Sequence, residues 1–270
     1  MTLTRSQIEF YQENGFLILE GLFSQNEMNE LNAATNSFDA LQDLPNIIRE
    51  DDGSIRSVFA PHKLENAFDR LYRENRIVEP CSQLIDSDIY LYQFKLNNKK
   101  KLSSECWEWH QDFPYWHIDD QVPEPKMISA MVLLQDTHLL QGPLIMIPGS
   151  HKEGIVDFQP KEHHLAQNTD LKQLDIINSL SADLKYTIDK QLLESLLTRE
   201  EPVVCQGKAG TCVLFHPNIF HASGANMLPF DRNTAILTYN DINNLPMETE
   251  NRRPDYICSR DYDAIHYLTN

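Results

Sequence analysis

Two histidines, one aspartate and one arginine have the clearest capacity for chemistry in this chain. His110 and Asp112 are separated by one residue, a spacing that places both side chains on the same face of a β-strand. If His221 joins them, the set is a facial triad of two imidazoles and one carboxylate, which leaves three positions open on a non-haem Fe(II) ion. Arg232, eleven positions after His221, offers a planar fork for a carboxylate. Together these residues predict an iron enzyme that uses 2-oxoglutarate and O2.

A single His-X-Asp triplet is weak evidence, and each ligand has a competitor. His117 and Asp119 form a second triplet, but it runs into a loop-like stretch, whereas the first ends a strand-like run flanked by aromatic residues. We therefore expect His117 to be a hydrogen-bonded residue behind the metal ligands. His216 competes with His221, which is favoured because it and Arg232 can reach one cavity from neighbouring strands. If these residues have no role in metal binding, His110 and Asp112 are instead a pair on the surface of a strand, and Arg232 is a solvated or salt-bridged residue.

Strands that could position these residues are predicted from alternating and apolar runs. They cover residues 89–96, 106–112, 127–135, 211–216 and 234–240. Residues 97–101 are expected to form a turn, with Lys99, Lys100 and Lys101 at a solvated hairpin tip. Residues 46–53 are polar and predict a loop.

Helices are predicted near the N-terminus. Thr4 can cap a first helix that ends at Gly15, and residues 16–19 read as a short buried strand. Ser24 and Glu27 form a capping box for a helix over residues 25–37. Another helix is predicted over residues 64–75, with a continuation toward residue 81 left open.

These elements predict a mainly β fold with accessory α: a double-stranded β-helix (jelly roll, cupin-like) core flanked by N-terminal helices. We expect a single domain over residues 1–270, in which residues 1–85 are mostly helical support and residues 86–245 form the core. Residues 160–200 are charged and helix-prone, and they predict a lid-like insertion.

The overall composition restricts the classes of molecule that the protein is expected to bind. The net charge of −17 argues against nucleic acid, because phosphate binding needs a basic face. The 5 cysteines lack the paired spacing of zinc ribbons or disulfide frameworks. The sequence has neither a signal-peptide pattern nor an apolar run of the ~20 residues that a membrane span needs. We expect a cytoplasmic protein with a small-molecule substrate and no membrane or nucleic-acid partner; the oligomeric state is not indicated.

Three longer motifs resemble the phytanoyl-CoA dioxygenase superfamily and, within it, the ectoine hydroxylase-like branch. Residues 109–117, Trp-His-Gln-Asp-Phe-Pro-Tyr-Trp-His, resemble the branch signature Trp-His-X-Asp-Phe-X-X-Trp-His. Residues 142–152 resemble its Gly-Pro-Leu…Pro-Gly-Ser-His segment, and residues 221–232 its second-histidine and arginine segment. The similarity runs over most of the chain outside residues 38–85 and 160–200.

The resemblance implies a set of site residues. The catalytic iron ligands would be His110, Asp112 and His221. The distal carboxylate of 2-oxoglutarate would be held by Arg232 and Ser223, helped by Ser129 and Asn97. The substrate pocket would contain Gln93, Lys95, Trp116 and Phe215, with Trp107 as a cavity wall. Ectoine hydroxylases usually have arginine where this chain has Lys95, so we expect an altered substrate pocket.

The implied reaction is hydroxylation of an unactivated C–H bond in a small, zwitterionic, amino-acid-like substrate, with release of succinate and CO2. It would use Fe(II), 2-oxoglutarate and O2, and ascorbate is expected to stimulate it. Related halogenases have Gly or Ala at the position of Asp112, so the carboxylate favours hydroxylation. The alternatives are desaturation, ring closure or epimerisation by the same cofactor chemistry in natural-product biosynthesis, a zinc-type metal hydrolase, and a non-catalytic jelly-roll binding protein.

Overall fold

Two antiparallel sheets form the centre of the protein. The computed structural model describes residues 1–41, 44–50, 52–156, 184, 186–249 and 252–266. The larger, 7-stranded sheet has the order β1-β9-β6-β11-β4-β3-β2 and contains β1 (Phe16–Leu19), β2 (Ile47–Arg49), β3 (Ile55–Phe59), β4 (Ile89–Lys99), β6 (Met127–Leu133), β9 (Cys212–Phe215) and β11 (Arg232–Asp241). The 4-stranded sheet has the order β5-β10-β7-β8 and contains β5 (Trp107–His110), β7 (Leu144–Met146), β8 (Val203–Cys205) and β10 (His221–Ser223).

The two sheets pack face to face around a shared apolar cluster. Met131 and Phe215 of the larger sheet meet Leu144 and Met146 of the smaller one, and all four are buried. Apolar side chains on alternate positions of each strand make this contact possible. The predicted mainly β jelly roll is confirmed.

Helices cover the other face of the larger sheet, where a second apolar cluster joins side chains of the N-terminal helices to those of the central strands. Helix α1 (Arg5–Asn14) has the Thr4 cap and ends at Gly15, whose φ of 79° is left-handed. Helix α2 (Gln25–Ser37) has the capping box of Ser24 and Glu27. The predictions for both helices and for β1 are confirmed, because caps are local signals.

Three local predictions were wrong. The helix expected over residues 64–75 is two helices, α3 (Asn66–Tyr72) and α4 (Asn75–Ile85). They are separate because Glu74 adopts an extended backbone and caps α4 through its side chain. The expected loop over residues 46–53 contains β2, which pairs with β3 and makes the N-terminal region less helical than predicted.

The expected turn over residues 97–101 is the third error, because β4 continues to Lys99. The ten-residue strand β11 pairs with β4 as far as Arg232 opposite Lys99, and this register keeps the end of β4 in the sheet. Lys99 is 2% exposed, so it is not part of a solvated hairpin tip.

The lid-like insertion stays a prediction. Residues 157–183 and 185, which make up most of it, lie outside the described residues, and helix α5 (Lys190–Arg199) follows them. In the described part of the chain, no helix combines the length and apolar character needed to cross a bilayer.

Candidate active site

Neighbouring strands of the smaller sheet bring two of the predicted ligands together. His110 ends β5 and His221 begins β10, and the two residues are paired in the antiparallel register. Their rings lie 4.1 Å apart between centroids, and both side chains are buried. Residues 111 positions apart in sequence thus become nearest neighbours through strand pairing.

Asp112 completes the group from the turn that follows β5. The backbone N–H groups of Asp112 and Phe113 both donate to the carbonyl of Pro217 at 3.1 Å, which fixes this turn beside the start of β10. Oδ1 of Asp112 lies 3.9 Å from Nε2 of His110 and 3.8 Å from Nε2 of His221. One ligand atom from each of the three residues lies within 4.8 Å of the others, the arrangement that a single metal ion requires.

Backbone carbonyls orient both imidazoles. Nδ1 of His110 lies 2.7 Å from the carbonyl oxygen of Glu108, and Nδ1 of His221 lies 3.0 Å from that of Ile219. Since a carbonyl accepts, each Nδ1 carries the proton and each Nε2 lone pair is left for a cation. Burial, followed by the charge of His221, lowers the pKa of His110 to about 3, so this ring is neutral at physiological pH.

The carboxylate of the group is ionised. Burial acts to raise the pKa of Asp112, but the opposing charges of His221 and Lys95 outweigh it, and the net shift is downward. The Nε2 atoms of two imidazoles and one carboxylate oxygen are the donor set that suits Fe(II), so the residues present fit the predicted metal.

The competing histidines lie outside this group. Nδ1 of His117 is 2.7 Å from the carbonyl of Val122, so its ring is hydrogen-bonded, as expected for a residue that is not a ligand. His216 accepts from the N–H of Asn218 at 3.0 Å, and its ring faces His151 at 5.1 Å.

One cavity beside the group has the features expected of a cosubstrate site; we call it the cosubstrate cavity. Its volume is about 570 Å³ including the space open to solvent, and its walls include Arg232, Ser223 and the apolar residues Met131, Leu144 and Ile236. Nη1 of Arg232 donates to the carbonyl of Gly142 at 2.6 Å, while its buried Nε has no hydrogen-bond partner among the described residues. Burial lowers the pKa of this guanidinium to about 10, so it stays charged.

The other residues expected around 2-oxoglutarate divide into two cases. Asn97 lines the cavity, and its Oδ1 accepts from the hydroxyl of Ser57 at 3.0 Å. Ser129 does not line it: this serine is fully buried deeper in β6, with its hydroxyl 3.0 Å from that of Thr238. The role of Ser129 in holding 2-oxoglutarate stays a prediction, with one residue of β6 between it and the cavity wall at Met131.

A second cavity, which we call the substrate cavity, shares His110 and Asp112 of the ligand group with the first. Its volume is about 530 Å³ including space open to solvent, and Gln93, Lys95 and Trp116 line it. Phe215 lines the cosubstrate cavity, with its ring 5.6 Å from that of His221. The substrate-binding roles of these four residues stay predictions. Trp107 lines both cavities, in agreement with its predicted role as a wall.

Arg253 is a cavity residue that the sequence did not reveal. It lines the substrate cavity from the segment that follows the last strand, and it is 7% exposed. Its Nε donates to Oδ1 of Asp120 at 2.8 Å, and Nη2 donates to the other oxygen of that carboxylate. Arg253 and Asp120 are 133 positions apart in the sequence. The local sequence around Arg253 offers only two consecutive arginines before Pro254, which does not indicate a cavity residue.

Comparisons with known proteins agree with this site. Residues 11–234 match the phytanoyl-CoA dioxygenase (PhyH) family. An ectoine dioxygenase from Nocardia farcinica is 31% identical over 268 residues, covering 96% of this chain and 86% of the relative. One from Bordetella bronchiseptica is 31% identical over 271 residues, with 96% and 83% coverage.

Solved structures show the same relationship. EctD from S. alaskensis with bound Fe matches with a TM-score of 0.81 at 28% identity, covering 98% of this chain and 87% of that one. The same enzyme with 2-oxoglutarate and 5-hydroxyectoine matches with a TM-score of 0.79 at 28% identity, covering 97% and 86%. This chain therefore belongs to the phytanoyl-CoA dioxygenase (PhyH) family, in the branch that contains the ectoine dioxygenases.

Proposed function

We propose that this protein is an Fe(II)- and 2-oxoglutarate-dependent dioxygenase that hydroxylates an unactivated C–H bond of a small, zwitterionic, amino-acid-like substrate. The observation that carries the proposal is the convergence of His110, Asp112 and His221 on one point, with Arg232 in the same cavity. The reaction of a zinc-type hydrolase does not require a carboxylate-binding cation in the metal cavity, whereas 2-oxoglutarate does, and the buried Nε of Arg232 has no hydrogen-bond partner among the described residues.

The proposed roles around the metal follow from the contacts described. His110, Asp112 and His221 would hold iron through Nε2, a carboxylate oxygen and Nε2. The bound iron and 2-oxoglutarate would supply the oxidising chemistry, in which one atom of O2 ends in the product hydroxyl and the other in succinate, with release of CO2. Arg232 and Ser223 would hold the distal carboxylate, since a charge-assisted pair with guanidinium is strong in a buried cavity.

The substrate cavity supports a small anionic or zwitterionic ligand with an apolar body. Lys95 is the cation that the cavity offers a ligand, since the guanidinium of Arg253 is already paired with Asp120, and burial lowers the pKa of Lys95. Gln93 donates from Nε2 to the carbonyl of Ile257 at 2.9 Å, which leaves its Oε1 as an acceptor for a substrate N–H group. The rings of Trp116 and Tyr115 would pack on the apolar part and exclude water.

The relatives named ectoine dioxygenase make ectoine the first compound to test. The resemblance implies arginine at the position that Lys95 occupies in the substrate cavity, so we expect a point charge in place of a planar fork and a changed preference among zwitterions.

The test is succinate formation in air with Fe(II), ascorbate and 2-oxoglutarate across free amino acids, ectoine and related cyclic zwitterions. Strong stimulation by one compound, with a product heavier by one oxygen atom, is the expected result. Succinate formed at the same low rate with every compound would keep the cofactors and reject the substrate class. The absence of succinate from protein shown to contain iron would reject the proposal.

A further inference from the structure

Three loops, which follow β4, β6 and β10, lie together at one end of the two sheets. They cover residues 100–105, 136–141 and 224–231. Strand β11 is antiparallel to both β4 and β6, so the ends of those two strands lie beside its beginning, which the third loop precedes. Backbone hydrogen bonds join the loops, since the N–H of Leu102 donates to the carbonyl of Leu228 at 3.0 Å and that of Met227 to the carbonyl of Leu140 at 2.8 Å. The three loops therefore form one continuous surface.

This surface is rich in exposed apolar side chains. Five large ones lie on it, which we call the apolar patch: Leu102, Leu139, Leu140, Met227 and Phe230. They include the three most exposed large apolar side chains among the described residues, which are 66–68% exposed. Side chains of this size that are half to two-thirds exposed each present roughly 100 Å² to solvent, so the patch presents roughly 500 Å².

The area of the patch approaches what one partner contributes to a stable interface. The largest apolar patch on a monomeric protein is typically ~300–600 Å² and is often functional. A standard interface buries ~800 Å² on each partner, with an apolar core and a polar rim. The apolar patch is large enough to be such a core, and the polar residues of the same loops can form the rim.

A buried asparagine holds the central loop in a fixed conformation. Asn226 is 1% exposed, its Oδ1 accepts from the N–H of Leu228 at 3.0 Å, and its Nδ2 donates to the carbonyl of Phe230 at 2.8 Å. Its own N–H donates to the carbonyl of Ser103 at 2.9 Å. Met227 and Phe230 are therefore exposed on an ordered loop, and an ordered surface loses little conformational entropy when it binds a partner.

The charges around the patch allow a second copy of this acidic chain to approach. The chain carries a net charge of −17, and such a charge opposes self-association. Each carboxylate of the three loops, however, has a cationic partner. The nearest nitrogen and oxygen atoms are 3.7 Å apart for Lys100 and Asp231, 2.6 Å for Lys208 and Asp136, and 3.6 Å for Arg56 and Glu105. Because salt screens charges beyond ~8–10 Å, this local pairing decides whether two copies can meet there.

We propose that the apolar patch is the contact surface of a homodimer in which a twofold axis relates two copies of this chain. A twofold axis places the same patch on both sides of the interface, so one apolar surface serves both partners. The second copy packs against the loop that joins β10, which carries His221, to Arg232 at the start of β11. The inference does not depend on the proposed reaction, since none of the five side chains lines either cavity.

The first test is sedimentation velocity of the iron-loaded protein at concentrations from about 0.1 to 100 µM, a range that brackets dissociation constants common for interfaces of this size. Phe230→Asp places a charge in the patch. Met247→Asp is the matched control, because Met247 is also exposed and lies outside the three loops. We expect the wild type and Met247→Asp to sediment as dimers at the higher concentrations. Phe230→Asp should weaken the dimer at least about 100-fold, because a carboxylate would be buried against an apolar surface in both copies.

The second test locates the contact by carbene labelling of exposed side chains, read by mass spectrometry. Met227 and Met247 are 68% and 57% exposed, so a monomer should be labelled similarly at both. In the dimer, labelling of Met227 should fall about 5-fold relative to Met247, since a residue in the core of an interface loses most of its exposed area. The protection should disappear on dilution and in Phe230→Asp. Added salt should leave the dimer unchanged or strengthen it, because salt screens the repulsion between acidic surfaces.

Several results would overturn the inference. A monomer at every concentration would do so: labelled Met227 would leave the patch to a different protein, and protected Met227 would mean that another part of this chain covers it. A dimer that keeps its affinity in Phe230→Asp, or in which Met227 stays fully labelled, would place the interface on another face. Dissociation of the dimer by salt would show an interface held by charge. If Phe230→Asp does not fold, Leu102→Asp replaces it with the same expectation, because Leu102 is equally exposed on another of the three loops.

Discussion

The two cavities beside the ligand group share walls from β4 and β5 but otherwise draw on different parts of the fold. The cosubstrate cavity adds walls from β6, β7, β9, β10 and β11, and the guanidinium of Arg232 there is already bonded to a backbone carbonyl. The substrate cavity adds walls from β3, from the helical turn Tyr115–Asp119, from residue 184 and from the segment after the last strand. The register of the strands thus positions the residues for the chemistry common to the family. The segments outside the two sheets can vary more freely and are expected to set the selectivity for the substrate.

The largest effect is expected from a change at the point that the two cavities share. Asp112→Ala should abolish hydroxylation, with activity reduced by at least about 1000-fold, because it removes the only carboxylate of the ligand group. Succinate formation and iron content measure it. Asp119→Ala, from the competing triplet, is the control and should retain iron; full activity in Asp112→Ala would exclude that residue from the ligand set.

A substitution confined to the cosubstrate cavity should weaken 2-oxoglutarate binding and leave substrate binding unchanged. Arg232→Met should raise the dissociation constant of 2-oxoglutarate about 100-fold, because the distal carboxylate loses its guanidinium partner. Substrate affinity, measured by calorimetry with saturating 2-oxoglutarate, should remain near the wild-type value. A parallel loss of substrate affinity would mean that the two cavities are not independent.

The corresponding substitution in the substrate cavity is Arg253→Lys. It keeps a cation beside Asp120 and removes the planar fork, so the substrate KM should rise about 10-fold while the affinity for 2-oxoglutarate stays constant. Arg252→Lys, whose guanidinium contacts Tyr262 instead, is the control. An unchanged substrate KM in Arg253→Lys would show that the side chain of Arg253 does not contact the substrate.

The smallest effect concerns the scaffold that both cavities share. Burial is the main cause that lowers the pKa of His62 to about 4 and that of His216 to about 3. The unfolded chain takes up protons near a pH of about 6.5 and the folded chain does not, so these rings lower the free energy of unfolding as the pH falls from 6.5 toward those values. Each ring should account for about 1–2 kcal/mol between pH 6.5 and 5.

Urea unfolding of the iron-free protein at several pH values measures this effect. His216→Gln should flatten the pH dependence, and the exposed His138→Gln should not change it. An unaltered slope in His216→Gln would show that this ring takes up a proton in the folded state.

The sequence predicted features whose signals are local. The caps at Thr4 and Ser24 were found because each cap and its partner lie three residues apart. The ligand pair at His110 and Asp112 was found for the same reason, and the third ligand because a long motif surrounds it.

Features that depend on distant pairing were missed or misplaced. Arg253 meets Asp120 across 133 positions, and neither residue belongs to a motif. Lys99 stands in a run of three lysines that resembles a solvated tip, and only its register with β11 places it inside the protein.

The position of Arg253 after the last described strand separates one wall of the substrate cavity from the strands that carry the ligand group. The ligand group and Arg232 lie on β5, β10 and β11 or in the turn after β5, all of which precede residue 252. The wall that carries Arg253, together with the contact of Ile257 to Gln93, comes from the segment that follows β11. A change in that segment can therefore reshape the substrate cavity without altering any strand that carries an iron ligand.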